Sequence, residues 1–182
     1  MAAKRKASRL WILSAVGGDR PGIVAQVTRA LYRLGCNLED SAMTRLGGEF
    51  AIMLVCSSAA SLSSEQLDAA LAPLAPPSAG LSIHVKPLAF SAPRRARVQS
   101  HVISVYGADR PGIVYRVAEL LARRGVNITD LSTRRTESLY LMLLEVELPP
   151  ALKAPALERA LRGLAARLRV EVRLQPVDTE IL

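Results

Sequence analysis

Aromatic residues make up only 4% of this 182-residue chain, and histidine and cysteine occur twice each. No apolar run approaches the length of a membrane span. Each shortage weighs against a class of function. Modules that read RNA stack bases on aromatics in their central strands, and here the candidate third strands carry only Phe50 and Tyr140 amid aliphatics. Cys36 and Cys56 lack metal-ligand spacing and read as reduced thiols. His84 and His101 fall in strand-like stretches, outside any nucleophile or metal pattern, and read as structural. A bilayer crossing needs about 20 apolar residues, whereas the longest runs here, near Ile52 and Met142, are strand-sized. The apolar residues 10–16 behind a basic lead read as a strand rather than a secretion signal, because the matching residues 101–106 lie mid-chain. A folded cytoplasmic protein with no metal, cofactor or membrane partner is the expectation.

Acidic residues are also in deficit, 16 against 24 lysines and arginines, which leaves a net charge of +8. Such a balance suits nucleic acid or acidic partners. The basic residues are dispersed, however. Their local clusters, Lys4, Arg5, Lys6 and Arg9, then Arg94, Arg95 and Arg97, fall at a tail and an apparent linker, where solvated charge is the plain reading.

Half the residues are hydrophobic, so a sizeable core is available, and it is divided in two. The stretch "GGDRPGIV" at 17–24 returns as "GADRPGIV" at 107–114. At an offset of ninety, without gaps, Val27/Val117, Leu31/Leu121, Gly35/Gly125, Asn37/Asn127 and Asp40/Asp130 also coincide. That is an internal duplication, in which Val126 and Val146 stand where the first copy has its cysteines. Each copy reads as strand, loop, amphipathic helix, glycine stop, hairpin, helix and strand. Ile23, Val27, Leu31 and Leu34 share one helical face, as do Ile113, Val117, Leu120 and Leu121. Pro21 and Pro111 are expected in the first helical turn, and Gly35 and Gly125 just past the last. Second helices are expected over 64–74 and 154–168, and closing strands over 81–86 and 170–174. The fold is therefore expected to be α+β, two ferredoxin-like βαββαβ modules with antiparallel sheets and helices on one face. The modules occupy 8–87 and 99–176, joined by a proline-bearing linker at 88–98. Open sheet edges favour packing of the copies together and allow a homodimer.

Glycines ahead of a helix resemble a phosphate cradle, but Asp19 and Asp109 stand where a dinucleotide fingerprint needs glycine, and Ile23 and Ile113 where a P-loop needs lysine. Each aspartate either caps the helix or holds the ammonium of a small zwitterion whose carboxylate meets nearby amides. Asn37 and Asn127, after the glycine stops, are turn residues or offer an amide to such a ligand, since the first loop and the entry of the second strand can lie close in this plan. "LGGEFAIMLV" at 46–55 is superficially similar to the signature of diguanylate cyclases, yet it lacks one acidic residue and reads as a hairpin turn at Gly47 and Gly48.

"DRPGIVAQVTRALYRLGCNLED" and "DRPGIVYRVAELLARRGVNITD" resemble ACT domains, small amino-acid-sensing modules, over essentially the whole chain. As a free-standing tandem pair the chain is similar to the glycine cleavage system transcriptional repressor family. The resemblance implies a ligand site on Gly17, Gly18, Asp19 and Asn37 and on Gly107, Ala108, Asp109 and Asn127. It implies glycine or serine as the small amino acid, although serine-sensing members carry asparagine where Asp19 and Asp109 stand. It also implies a protein partner such as a transcription activator. Both units are used by this pattern, which leaves no room for a catalytic domain, so no enzyme is expected. Direct nucleic-acid binding, resting on charge, and an ACT scaffold with no small ligand are the alternatives.

Overall fold

Every second residue of the stretch Glu49–Ala59 is buried, with Phe50, Ile52, Leu54, Cys56 and Ser58 on one face. A strand with a single covered face requires this alternation. The computed structural model describes residues 8–59, 61–76, 78, 80–89, 99–136 and 139–177, and the chain divides into two compact units, Met1–Ala92 and Pro93–Leu182. The first unit runs β1 (Ser8–Gly18), α1 (Ile23–Arg33), β2 (Asn37–Leu46), β3 (Glu49–Ala59), α2 (Ser64–Leu71) and β4 (Leu81–Leu88). The second runs β5 (Gln99–Gly107), α3 (Ile113–Ala122), β6 (Asn127–Arg135), β7 (Tyr140–Leu148), α4 (Ala154–Leu168) and β8 (Val170–Pro176). The sheets are ordered β2-β3-β1-β4 and β6-β7-β5-β8, and their neighbours pair antiparallel. This is the ferredoxin-like plan, twice. Of the expected linker, residues 90–98 lie outside the described residues, as do the basic clusters apart from Arg9, and β4 runs on through Leu88.

Helical spacing decides which side chains of α1 and α3 meet the sheet. Ile23, Val27 and Leu31 are buried, and so are Ile113, Val117 and Leu121. They pack on Trp11, Leu13 and Leu54 in the first module and on Ile103, Val105 and Leu144 in the second. Trp11 brings a polar atom into the core, and its indole N–H donates to Ser58 Oγ at 2.9 Å. His101, its counterpart ninety residues on, is buried with Nδ1 3.1 Å from the Gln99 carbonyl, which is a structural role. Cys56 is fully buried and Cys36 partly so, and Val126 and Val146 are buried at the matching positions. The cysteines act as small apolar fillers. Burial raises both thiols above their ordinary value, Cys56 to about 12.

The helix boundaries correct one expectation. Pro21 and Pro111 lie ahead of the helices rather than in their first turn, because α1 and α3 begin at Ile23 and Ile113 behind Gly22 and Gly112, which adopt φ of 88° and 90°. A left-handed residue there turns the chain off the strand before the helix starts, and glycine takes that conformation without strain. At the far end, Gly35 and Cys36 donate to the carbonyls of Tyr32 and Leu31, a Schellman stop repeated by Gly125 and Val126. The turn between β2 and β3 is the two glycines expected, Gly47 and Gly48, at φ of 60° and 86°.

The two second helices differ in length. A capping box formed by Ser63 and Gln66 starts α2, which ends after eight residues in a 3-10 turn, Ala72–Leu74, containing Pro73. Proline lacks the amide hydrogen that a continuing α-helix needs. By contrast α4 runs for 15 residues. At the offset of ninety α2 matches the first half of α4, so residues 162–168 are an extension found only in the second module.

Candidate functional site

The loops that join β1 to α1 and β5 to α3 are built alike. Gly17 allows β1 to close against the start of β4, since a Cβ there would stand 2.3 Å from the Gly80 carbonyl oxygen. Gly107 is less tightly placed against Val170, at 3.1 Å. Gly18 faces open space, which explains why Ala108 serves at the matching place. Asp19 donates its amide hydrogen to the Gly48 carbonyl at 3.0 Å, fastening the loop to the tip of the β2–β3 hairpin. Arg20 reaches over to Gln26 Oε1 at 3.0 Å on the first turns of α1.

Asp19 does not cap the helix. The N-cap of α1 is Gly22, with no side chain to bond the first amides, and Gly112 leaves α3 in the same state. No side chain caps those amides, and the helix dipole favours an anion at that end. The Asp19 carboxylate instead accepts from Arg45 Nη1 at 3.3 Å, and Asp109 from Arg135 Nη1 at 3.2 Å. Register explains the meeting: Arg45 pairs across β2 with Phe50, and Phe50 across β3 with Gly17, so the arginine lies in the row that leads to the loop. Arg135, Tyr140 and Gly107 repeat the row. The arginine side chains are 70% and 74% exposed. Pairs so exposed contribute about 0–1 kcal/mol, so each opens at little cost. Each loop therefore presents a carboxylate, a guanidinium and uncapped helix amides side by side, complementary to a molecule bearing one ammonium and one carboxylate.

Asn37 and Asn127 are elsewhere. Asn37 pairs with Ser57, seven residues along β3 from the Phe50 row, and Asn127 pairs with Glu147, seven along β7 from Tyr140. At the usual rise that separation is about 24 Å. The expectation that loop and strand entry converge within one module is thus corrected: α1 runs back along the sheet, so the strand after it starts at the other end. Asn37 Nδ2 is 3.4 Å from Glu39 Oε1, a local contact.

Arg45 and Arg135 were the residues that motif reading passed over. Their signal was present, since they too stand ninety apart, but spacing alone gives no sign that the second strand's end crosses to the first loop. Other features bear on the alternatives. Phe50 and Tyr140 are buried against the helices, which removes them as a platform for bases. Tyr106 lies on the opposite sheet face, where its hydroxyl donates to Glu171 and is raised above its ordinary pKa chiefly by that bond. Among the described residues, no group of three or more histidine, cysteine or acidic side chains could hold a metal ion, and no helix is long and apolar enough to cross a membrane.

Known proteins share this architecture. The glycine cleavage system transcriptional repressor of Escherichia coli (strain K12) is 29% identical over 174 residues, covering 92% of this chain and 90% of the relative. A UPF0237 protein of Pyrobaculum aerophilum is 36% identical over 78 residues, covering 42% of this chain and 87% of the relative. The crystal structure of an unknown protein from Galdieria sulphuraria, 28% identical, superposes over 94% of this chain and 99% of its own with a TM-score of 0.81. The ACT domain pattern matches residues 9–86 and again 99–175, once for each sheet, and the chain belongs to the ACT domain family as a tandem pair.

Proposed function

We propose that this chain is a non-enzymatic regulator that binds a small α-amino acid at its strand-to-helix loops and passes occupancy on to a protein partner. The observation that carries the reading is the Asp–Arg pair beside an uncapped helix start, present at the same place in both modules. The ligand's ammonium replaces the guanidinium at Asp19 or Asp109. Its carboxylate goes to Arg45 or Arg135 and to the loop amides, with Gly17, Gly18, Gly107 and Ala108 keeping the backbone close. Asn37 and Asn127 join such a site only from another copy of the module, because within one module they stand at the opposite end of the sheet. Likeness to the glycine cleavage repressor of Escherichia coli makes glycine the first ligand to try and serine the second. The same likeness makes a transcription activator of the glycine cleavage genes the first partner to try. A switch needs the ligand to favour one arrangement over another, and that difference in affinity is the whole of the driving force.

Thermal unfolding across an amino-acid panel tests this. Saturation at about 100 times Kd adds about 2.7 kcal/mol to the folded state. The expected outcome is a shift with one amino acid that disappears in a folded Asp19→Ala/Asp109→Ala variant. A shift retained in that variant removes the aspartates from the site. No shift with any amino acid leaves a protein-binding scaffold, the reading favoured by the fact that each aspartate already has an arginine.

A further inference from the structure

The second module differs from the first in the extension of α4, and that extension lines a groove. Between α3 and α4 lies an open groove of about 890 Å³, whose lining includes the half-buried apolar residues Leu120, Ala160 and Leu168, with Leu164 buried beneath. Gly163 contributes no side chain, and nothing lies within 4 Å of where its Cβ would be. Four arginines stand on the walls, Arg116 from α3, Arg123 and Arg124 from the turn that ends it, and Arg167 from α4. The one carboxylate on the groove, Glu119, accepts from Arg123 Nη2 at 2.8 Å and from the Tyr115 hydroxyl at 3.0 Å, so it is already engaged. A strongly cationic rim around an apolar floor is the result.

The described residues of the first module do not repeat this set of side chains. At the offset of ninety, Arg116 and Arg124 become Gln26 and Leu34, and α2 stops before the extension begins. On α2, Glu65 stands where α4 has Pro155, while Asp68 matches Glu158. Duplication therefore did not simply preserve this groove in both copies.

We propose that the α3–α4 groove of the second module docks an acidic amphipathic helix of a partner protein. Its apolar stripe lies on Leu120, Ala160 and Leu168, and its carboxylates meet the arginines on either wall. Helix-in-groove recognition asks for this combination, an apolar channel with charge on its borders. The charges select the partner and the floor supplies burial. The seven extension residues span about 10 Å, room for about two turns of an occupant. A nucleic-acid backbone would satisfy the arginines but leave the apolar floor without a partner, so the lining favours a peptide. The proposal deepens the partner half of the reading above and does not depend on the amino-acid site.

The test uses the full chain and a fluorescent synthetic 15-residue helix with leucines on one face and glutamates elsewhere, measured by anisotropy at physiological salt. Saturable binding is expected, weakened at least tenfold by Arg124→Glu/Arg167→Glu. The neutral pair Arg124→Gln/Arg167→Gln should fall between. Arg29→Glu/Arg33→Glu makes the same change of charge on the first module and should alter binding by less than twofold. A probe of equal charge with serine in place of leucine should bind at least tenfold more weakly. Equal losses from the two charge reversals, or equal binding of the serine probe, would reduce the effect to general basicity and overturn the proposal. So would no binding of the helix alongside groove-dependent binding of a DNA duplex. Far-UV circular dichroism and unfolding midpoints confirm that the variants fold. Loss of the amino-acid response in Asp19→Ala/Asp109→Ala with helix binding intact separates failure of the ligand site from failure of the groove.

Discussion

At the scale of single residues, neighbouring glycines in one motif have different reasons to be glycine. A Cβ on Gly17 would meet Gly80 and Leu81 backbone atoms at 2.3 and 2.8 Å, whereas one on Gly18 would meet nothing within 4 Å. Gly17→Ala should cost about 1–3 kcal/mol, as overpacking does, and Gly18→Ala should stay within about 0.5 kcal/mol, both read from urea midpoints. The sequence offers both as loop glycines. The distinction comes from a turn more than sixty residues away, which no local pattern reveals. Asp19 was legible as a residue of interest for its place in the repeat, but its arginine was not, because that contact is set by strand register. Cys56 gives a pH prediction. Its thiol is held up at about 12 in the fold against an ordinary 9.0. The unfolded chain ionises first, so this residue's contribution is intact below pH 9 and is lost as pH rises toward 12, by about 1.4 kcal/mol per unit. Cys56→Val, which copies the valine at 146, should flatten the alkaline fall in stability relative to the parent. Parallel pH curves for the two proteins would remove the thiol as its cause.

At the scale of elements, periodicity made the helices and strands legible. Ile23, Val27 and Leu31 sit one turn apart and are buried, and the alternation of β3 shows its covered face directly. Which end of the sheet an element occupies was not legible, and so the distance of Asn37 from Asp19 within one module was not either. A residue eighteen positions after Asp19 looks near in the sequence, yet the intervening helix carries the chain the length of the sheet. Helix length was legible only in part, since residues 64–74 read as one helix but change to a 3-10 turn at Ala72. With only eight residues, α2 should be sensitive to its start. Ser63 accepts from the Gln66 amide at 3.3 Å and its own amide donates to Gln66 Oε1 at 2.9 Å. Ser63→Ala should therefore cost about 1 kcal/mol, measured by chemical denaturation. A change below about 0.3 kcal/mol would show that packing of Leu67 and Leu71 holds the helix without its cap.

On the scale of the whole molecule, duplication fixes the architecture and divergence distributes the tasks. The Asp–Arg loops are kept in both copies, while the arginine groove belongs to one. That division was half legible: the shared loop showed as a repeat, but the groove draws on two helices forty residues apart and on a glycine with no motif around it.

The outer strand β2 has a further consequence, for how concentrated solutions of this protein behave. It is exposed along its whole length, and Leu38, Met43 and Leu46 on it are 43, 57 and 71% exposed. Such a strand offers unpaired backbone and greasy side chains to any molecule that drifts alongside. The charge of +8 opposes such an approach. Salt shortens the reach of that repulsion from about 10 Å at 0.1 M to about 3 Å at 1 M, while it leaves the attraction of apolar surface in place. Static light scattering should therefore show apparent mass rising with added salt at neutral pH, and Met43→Lys should suppress the rise. A mass that falls or stays level with salt would mean that charge is not what keeps this edge from self-association. If the rise is seen, the colloidal rule for handling follows: dilute buffer, and not salt, preserves the dispersed protein.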